Sequence, residues 1–280
     1  MSVDSPLVST DWLASRINAP DVRIADASWY LPQAGRDPRA EYAAAHIPRA
    51  VFFDIDDLSD ETSTLPHMLA PATKFASRMR KLGLGDGNLI VVYDSSAVYS
   101  SPRAWWMLRA MGHRDVVVLD GGLPKWRSEG RPLEDLSATP FARHFTARQD
   151  NALVKDFDQM LKNLETRALQ VVDARGRARF NALEPEPRAG TRGGHIPGSL
   201  NVPYAELIKP NGTLKTRDEL RKVFAAHKVD LEQETVTSCG SGITAAIALL
   251  ALTVAGVKNV SLYDGSWAEW GASQAPVETS

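Results

Sequence analysis

Short apolar runs alternate with longer helical patterns along the chain, and this alternation predicts an α/β fold. Two of the apolar runs are built largely from aliphatic residues and end at Asp26 and Asp173. Helical patterns cover residues 102–111 and 244–254. Strands that alternate with helices form parallel sheets that are covered on both faces. We therefore expect mainly parallel sheets flanked by helices on both faces.

The pattern occurs twice, with a period of about 145 residues, which is the size of a domain. His46-Ile-Pro corresponds to His195-Ile-Pro, and Asp120-Gly-Gly corresponds to Asp264-Gly-Ser. The near-constant spacing between matched motifs indicates that one domain was duplicated. We therefore predict two tandem domains with the same fold.

A segment between the two copies has the composition of a linker. Residues 129–150 contain two prolines and several charges, without a helical or strand period. We place the domain boundary in this segment. The first domain with its linker then covers residues 1–145, and the second covers residues 146–280.

The single cysteine of the chain, Cys239, lies in a segment that is typical of a reactive site. It ends a strand-forming run, and Gly240, Ser241, Gly242 and an apolar helical run follow it. Backbone N–H groups and the helix dipole at such a junction stabilise a thiolate, which is the reactive form of cysteine. Ligands of parallel sheets bind beyond the carboxyl ends of the strands, where Cys239 is expected. The sequence favours a nucleophile, and the alternative is a small buried core residue.

The first copy differs from the second at the position of this cysteine. The run that ends at Asp94 aligns with the run that ends at Cys239. A carboxylate cannot perform thiol chemistry, so we predict that the first domain is catalytically inactive and that the second is catalytic. The alternative is that neither copy is catalytic and that both share only a scaffold.

Composition excludes several classes of function. The chain has 280 residues, 44% hydrophobic and 24% charged residues and a formal net charge of −2. This charge does not favour a nucleic-acid partner, and no apolar run is long enough to cross a membrane. The N-terminal residues lack the features of a secretory signal, so we expect a cytoplasmic protein. No spacing of ligands or glycines indicates a metal or a nucleotide cofactor, and we expect neither.

Arginines and histidines supply further candidate site residues. Arginines cluster in two segments of the second copy, 175–179 and 188–192, and loop arginines of this kind suit a carboxylate substrate. The alternative is solvated surface charge. His67 has no counterpart in the second copy and is a candidate for a proton relay. Asp56 is a candidate to orient this histidine, and the alternative is that Asp56 caps a helix. The paired histidines of the repeat motifs favour a structural role.

Several motifs together resemble the 3-mercaptopyruvate sulfurtransferases, which are two-domain members of the rhodanese superfamily. They are Asp26-Ala-Ser-Trp-Tyr-Leu-Pro, Glu184-Pro-Glu-Pro-Arg, His195-Ile-Pro-Gly, Cys239-Gly-Ser-Gly-Ile-Thr-Ala and Tyr263-Asp-Gly-Ser-Trp-Ala-Glu-Trp. The resemblance extends over nearly the whole chain. It implies two tandem rhodanese-like domains, each a mainly parallel sheet flanked by helices on both faces.

The resemblance also implies a reaction. Cys239 would take the sulfur of 3-mercaptopyruvate as a persulfide and release pyruvate. A thiol such as thioredoxin, or cyanide in an assay, would then accept the sulfur. Arg179 and Arg188 match the substrate-binding arginines of the family. No cofactor is implied.

Further roles follow from the same resemblance. Ser241, His67 and Asp56 match a proton relay of the family. Backbone N–H groups of the loop and the helix start would hold the persulfide, and they belong to Gly240, Gly242, Ile243 and Thr244.

Two alternatives and one departure from the family pattern stay open. A thiosulfate sulfurtransferase is the nearest alternative, although the uncharged residues 240–242 suit a dianion poorly. A non-enzymatic sulfur carrier or redox module is the second, although it would need no pocket for a carboxylate. After Arg188 the family often reads Asp-Gly-x-Glu-Pro-Gly-His, whereas this chain reads Ala189-Gly-Thr-Arg192-Gly-Gly-His195. The added positive charge of Arg192 could alter the shape of the loop or the choice of acceptor.

Overall fold

The computed structural model describes residues 5–135 and 140–279. The chain divides into two compact units. The first unit comprises the described parts of Met1–Glu61, Leu69–Asp150 and Lys209–Leu214. The second unit comprises the described parts of Thr62–Met68, Asn151–Ile208 and Lys215–Ser280.

The first unit contains a five-stranded, entirely parallel sheet among its described residues, with the strand order β1-β5-β4-β2-β3. The strands are β1 (Leu7–Val8), β2 (Val22–Asp26), β3 (Ala50–Phe52), β4 (Leu89–Tyr93) and β5 (Val116–Leu119). The helices are α1 (Thr10–Arg16), α2 (Pro38–Ala44), α3 (Ala72–Lys81), α4 (Ser101–Ala110) and α5 (Gly122–Ser128).

The second unit repeats this topology. Its described residues form a parallel sheet of order β6-β10-β9-β7-β8. The strands are β6 (Val154–Lys155), β7 (Gln170–Asp173), β8 (Leu200–Asn201), β9 (Thr235–Ser238) and β10 (Val260–Tyr263). The helices are α6 (Phe157–Thr166), α7 (Arg177–Phe180), α8 (Arg217–Ala226), α9 (Ile243–Ala255) and α10 (Ser266–Trp270).

Local sequence explains where the main elements begin and end. Every residue of β4 and of β9 is buried, as expected for strands in the middle of a covered parallel sheet. Asp156 and Thr216 each close a capping box at the start of a helix. The apolar helix α9 is buried along almost its whole length and ends at Gly256, which has φ 102°.

The architecture confirms the predicted fold class, and it places the repeat motifs at equivalent positions. His46 Nδ1 donates to the Tyr42 carbonyl oxygen at 2.7 Å, and the two rings are stacked. His195 Nδ1 donates to the Phe180 carbonyl oxygen at 2.9 Å, with the rings stacked 3.7 Å apart. Both histidines are buried and stabilise the fold locally. No helix within the described ranges is long and apolar enough to cross a membrane.

Candidate active site

Cys239 lies at the carboxyl end of β9, a middle strand of its sheet. The backbone N–H of Gly242 donates to the Cys239 Sγ atom at 3.1 Å. Gly242 has φ 81°, a left-handed conformation that favours glycine, and it caps the N-terminus of α9. The thiol therefore lies in a tight loop whose backbone turns N–H groups towards it.

Hydrogen bonds between the cysteine loop and residues of α10 hold the loop in place. The N–H of Trp267 donates to the Cys239 carbonyl oxygen, and the N–H of Ala268 donates to the Gly240 carbonyl oxygen, each at 2.9 Å. The Cys239 N–H donates to Ser266 Oγ at 3.3 Å. These hydrogen bonds satisfy the carbonyl oxygens of Cys239 and Gly240 and hold the backbone of the loop in place.

The start of α9 adds further donors. Ile243 and Thr244 are the first two residues of the helix. The first N–H groups of an α-helix have no intrahelical acceptor, and the helix dipole is positive at this end. Ser241, 7% exposed, lies between Cys239 and this helix start. The predicted persulfide-binding residues are therefore contiguous with the cysteine.

Two guanidinium groups lie beside the loop. A Cβ atom at Gly240 would be 3.1 Å from Arg179 Nη2 and 3.9 Å from Arg188 Nη1. A side chain at this position would press on the nearer arginine, so glycine leaves room for both. Cys239 itself is 2% exposed, but charged groups lie next to it rather than apolar packing alone.

The guanidinium of Arg188 makes no hydrogen bond or ion pair with the part of the chain that the structure describes, and the residue is partly buried. Burial is the main cause that lowers the pKa of Arg188 from its usual value. The interaction with Cys239 raises this pKa, and the like charge of Arg179 lowers it. The Glu186 carboxylate makes the smallest of these contributions, so Arg188 presents its positive charge mainly to the loop.

The charge of Arg179, in contrast, is shared with an acidic residue. Arg179 Nη2 lies 2.5 Å from Glu186 Oε2. The Glu186 side chain is only 3% exposed, and its Oε1 atom also accepts from Arg175 Nη1 at 2.8 Å. Arg175 in turn pairs with Asp173 at the end of β7. This buried network holds Arg179 in place beside the loop.

The equivalent junction of the first unit shows what such a loop binds. The Asp94 carboxylate, which follows β4, is fully buried. It accepts backbone N–H groups of Ser96, Tyr99, Ser100 and Ser101 at 2.8–3.1 Å, and the hydroxyl of Ser101 at 2.6 Å. Burial raises the pKa of Asp94, and these hydrogen bonds oppose that shift, so the junction offers several donors to one buried carboxyl group.

Comparisons with known proteins now identify the fold. Residues 9–129 and 156–273 each match the rhodanese-like domain. The chain belongs to the rhodanese family.

The most similar relatives share the whole two-domain arrangement. A 3-mercaptopyruvate sulfurtransferase of Escherichia coli (strain K12) is 48% identical, covering 97% of this chain and 97% of that protein. The crystal structure of SseA from Escherichia coli matches with a TM-score of 0.86 and 44% identity, covering 94% of this chain and 99% of that one. A thiosulfate sulfurtransferase of Cricetulus griseus is 42% identical, covering 98% and 94%. The resemblance to 3-mercaptopyruvate sulfurtransferases and the expected tandem rhodanese-like domains are confirmed.

The candidate relay residues fall in different units of this rhodanese. His67, with φ 60°, lies in the segment Thr62–Met68, which belongs to the second unit together with Cys239 and Ser241. Asp56 belongs to the first unit, where its Oδ2 atom accepts from Trp29 Nε1 at 3.0 Å. The relay stays a prediction.

Arg192, the departure from the rhodanese pattern, has a structural role. It donates to the carbonyl oxygens of Gly271 at 3.2 Å and Ala275 at 2.8 Å. These contacts tie the loop to the segment that follows α10. Arg177 is exposed and pairs with Glu206 at 3.0 Å. Neither contact involves the cysteine loop.

Sequence reasoning did not single out Glu186 or Ser266. Glu186 lies within the Pro-Glu-Pro-Arg motif, and its burial between two arginines depends on tertiary packing. The loop of residues 184–192 contains two glutamates and two arginines, so its composition alone does not single out Glu186. Within the described ranges, no cluster of histidine, cysteine and acidic residues could hold a metal ion.

Proposed function

We propose that this rhodanese is a 3-mercaptopyruvate sulfurtransferase with Cys239 as its nucleophile. The observation that carries the proposal is the convergence of Arg179 and Arg188 on the loop that surrounds the Cys239 thiol. The substrate carries a carboxylate, a ketone and a thiol, and two guanidiniums next to a nucleophilic sulfur match these groups. The relatives named 3-mercaptopyruvate sulfurtransferase support the same substrate.

The first half-reaction moves one sulfur atom to the protein. The Cys239 thiolate attacks the sulfur of 3-mercaptopyruvate, so a sulfur–sulfur bond forms and the carbon–sulfur bond breaks. The electron pair of the broken bond passes into the enolate of pyruvate, which takes up a proton. Arg188 and Arg179 bind the carboxylate and the carbonyl oxygen, and the contact to the carbonyl oxygen strengthens as the enolate charge develops.

Proton supply and persulfide stabilisation are assigned to the neighbouring groups. Ser241, His67 and Asp56 form the proton relay in our proposal. The persulfide that remains on Cys239 is held by backbone N–H groups of the loop and of the α9 start, which belong to Gly240, Gly242, Ile243 and Thr244. The Asp94 side chain in the first unit supports this assignment, because backbone N–H groups donate to its carboxyl oxygen at the equivalent junction.

The second half-reaction removes the outer sulfur. An acceptor thiolate attacks the outer sulfur, so a new sulfur–sulfur bond forms on the acceptor, the bond to Cys239 breaks and the Cys239 thiolate is regenerated. We propose a protein thiol such as thioredoxin as the acceptor, and cyanide can replace it in an assay. We also propose a cytoplasmic location, without a nucleic-acid or membrane partner. Residues 1–145 would form the inactive domain with its linker, and residues 146–280 the catalytic domain.

The test measures pyruvate release and the mass of the protein. After mixing with 3-mercaptopyruvate without an acceptor, the intact chain is expected to gain the mass of one sulfur atom on Cys239. Cys239→Ser is expected to lose both pyruvate release and the mass gain. Arg177→Gln, a change at an exposed arginine of the same unit, serves as the control and should keep both. Pyruvate release by Cys239→Ser at the wild-type rate would refute the proposal.

A thiosulfate sulfurtransferase is the second candidate, because a relative of that name is 42% identical. The loop residues Gly240, Ser241 and Gly242 carry no positive charge, which favours the monoanionic carboxylate substrate over dianionic thiosulfate. Comparing kcat/KM for the two donors with the same acceptor separates the candidates. Equal or better use of thiosulfate would select the second candidate.

A further inference from the structure

The first unit contains a cavity of about 330 Å³ that lies apart from the Asp94 junction. Its described lining includes the arginines 23, 49 and 143, and a single carboxylate, Glu134. Residues of β2 and β3 form one wall, and residues 82–84, just after α3, form another. Side chains with the same charge thus converge on one small space.

Backbone carbonyl oxygens, rather than carboxylates, accept from two of these guanidiniums: Arg23 donates to Pro20 and Val22, and Arg49 donates to Ile17. Burial lowers the pKa of Arg23, and the positive charges of Arg143 and Arg49 lower it further. Asp21 opposes this shift only as the smallest of the contributions. The Glu134 carboxylate already accepts a hydrogen bond from the Arg49 backbone N–H at 2.5 Å. The positive charge in the cavity therefore exceeds the negative charge.

The rest of the lining is apolar. Val22 and Ile24 are buried strand residues, and Leu84 is also buried. Phe141 contributes an aromatic ring that is 90% exposed. A ligand that matched this lining would combine an anionic group with an aromatic or aliphatic body.

The second unit provides an internal comparison. A cavity of about 230 Å³ lies against the equivalent strands, β7 and β8, and is lined by Leu169, Val171 and Leu200 among others. Its described lining contains one arginine, Arg167, which donates to the carbonyl oxygen of Pro197 at 3.4 Å. Both units therefore have a cavity beside equivalent strands, whereas the cluster of arginines is found in the cavity of the first unit.

We propose that the cavity of the first unit binds a small organic anion, in which a carboxylate, sulfonate or phosphate group contacts Arg23, Arg49 and Arg143 and an apolar body contacts Phe141 and the strand residues. The anion relieves the repulsion among the guanidiniums, and the apolar body buries the exposed ring. This site is separate from the Cys239 loop and does not depend on the proposed sulfur transfer.

Naphthalene-1-sulfonate is a suitable probe, because it combines one anionic group with an aromatic body. Isothermal titration of the full chain is expected to show saturable binding at one site. The neutral 1-naphthalenemethanol and inorganic sulfate should each bind at least about tenfold more weakly, since each lacks one half of the match. Absence of saturable binding overturns the proposal. Equal binding of inorganic sulfate overturns the requirement for an apolar body.

Matched variants locate the site. Arg143→Gln and Arg23→Gln should each weaken binding of the probe about tenfold, by loss of one charge-assisted contact. Arg143 is exposed, so this variant is expected to fold normally, which thermal unfolding would verify. Arg167→Gln, in the equivalent groove of the second unit, should leave binding unchanged. Wild-type affinity in Arg143→Gln, or loss of binding in Arg188→Gln, would show that the probe binds elsewhere and overturn the proposal.

Discussion

Replacing Arg188 by glutamine tests the substrate site most directly, because this guanidinium has no carboxylate partner in the described part of the chain. The variant keeps a polar side chain of intermediate length and removes only the charge and the fork of donors. Arg179→Gln is the natural comparison, since Arg179 also lies beside the loop but shares its charge with Glu186.

The expected loss follows from two independent magnitudes. An ion pair about 4 Å apart near a protein surface is worth up to about 4 kcal/mol. A hydrogen bond to a charged group contributes about 1.5–3 kcal/mol. We therefore expect Arg188→Gln to lose about 2–4 kcal/mol of transition-state stabilisation, which is a decrease of about 30- to 1000-fold in kcat/KM. The free energy of unfolding should change by less than about 0.5 kcal/mol.

Arg179→Gln should show the opposite balance. Glu186 already neutralises part of the Arg179 charge, so we expect a smaller decrease in kcat/KM, about tenfold. Loss of the ion pair should lower the free energy of unfolding by about 1 kcal/mol or more.

The assay follows pyruvate release at saturating dithiothreitol, with 3-mercaptopyruvate varied, and denaturant unfolding is measured on the same preparations. A kcat/KM for Arg188→Gln within threefold of the wild type would refute the assignment of this residue to the substrate. So would a loss of activity that is matched by an equal loss of stability, because the effect would then be structural.

Three further predictions concern the fold and the loop. Glu186→Gln leaves two guanidiniums with less compensation, so we expect a loss of about 3 kcal/mol in unfolding free energy and a raised KM, measured by urea titration and steady-state kinetics. Burial raises the pKa of Asp26 to about 6. The folded state therefore favours the protonated carboxyl group, and this gain in the free energy of unfolding is full below about pH 4 and is lost as the pH rises through 6. Asp26→Asn should therefore stabilise the chain above pH 7, by up to about 3 kcal/mol, and hardly below pH 4; an equal effect at both pH values would contradict this. Gly242→Ala places a side chain at φ 81°, so it should lower the free energy of unfolding by about 1–2 kcal/mol. It should also slow persulfide formation on Cys239. A fully active and equally stable variant would contradict the role of this turn.

The sequence by itself determined the class of fold and the position of the cysteine. Strands such as β4 and β9, which are buried at every residue, can be predicted locally as short runs of strand-forming residues that end at turn residues. The duplication was visible because equivalent turns keep the same residues, as at His46 and His195. The first copy has Asp94 at the position where the second copy has Cys239, and this difference indicated which copy could carry thiol chemistry. The roles of Arg179 and Arg188 came from family resemblance, since spacing alone did not distinguish them from other arginines.

Only the tertiary structure decided how the charges are partnered. It separated the free guanidinium of Arg188 from that of Arg179, which Glu186 holds, and it gave Arg192 a structural role. It also assembled a positively charged cavity from Arg23, Arg49 and Arg143. Such contacts join segments that are far apart in the chain, and their energies depend on distance and burial. A local hydrophobic pattern predicts strands and helices, but it does not give the distance between two charges or the burial of a side chain.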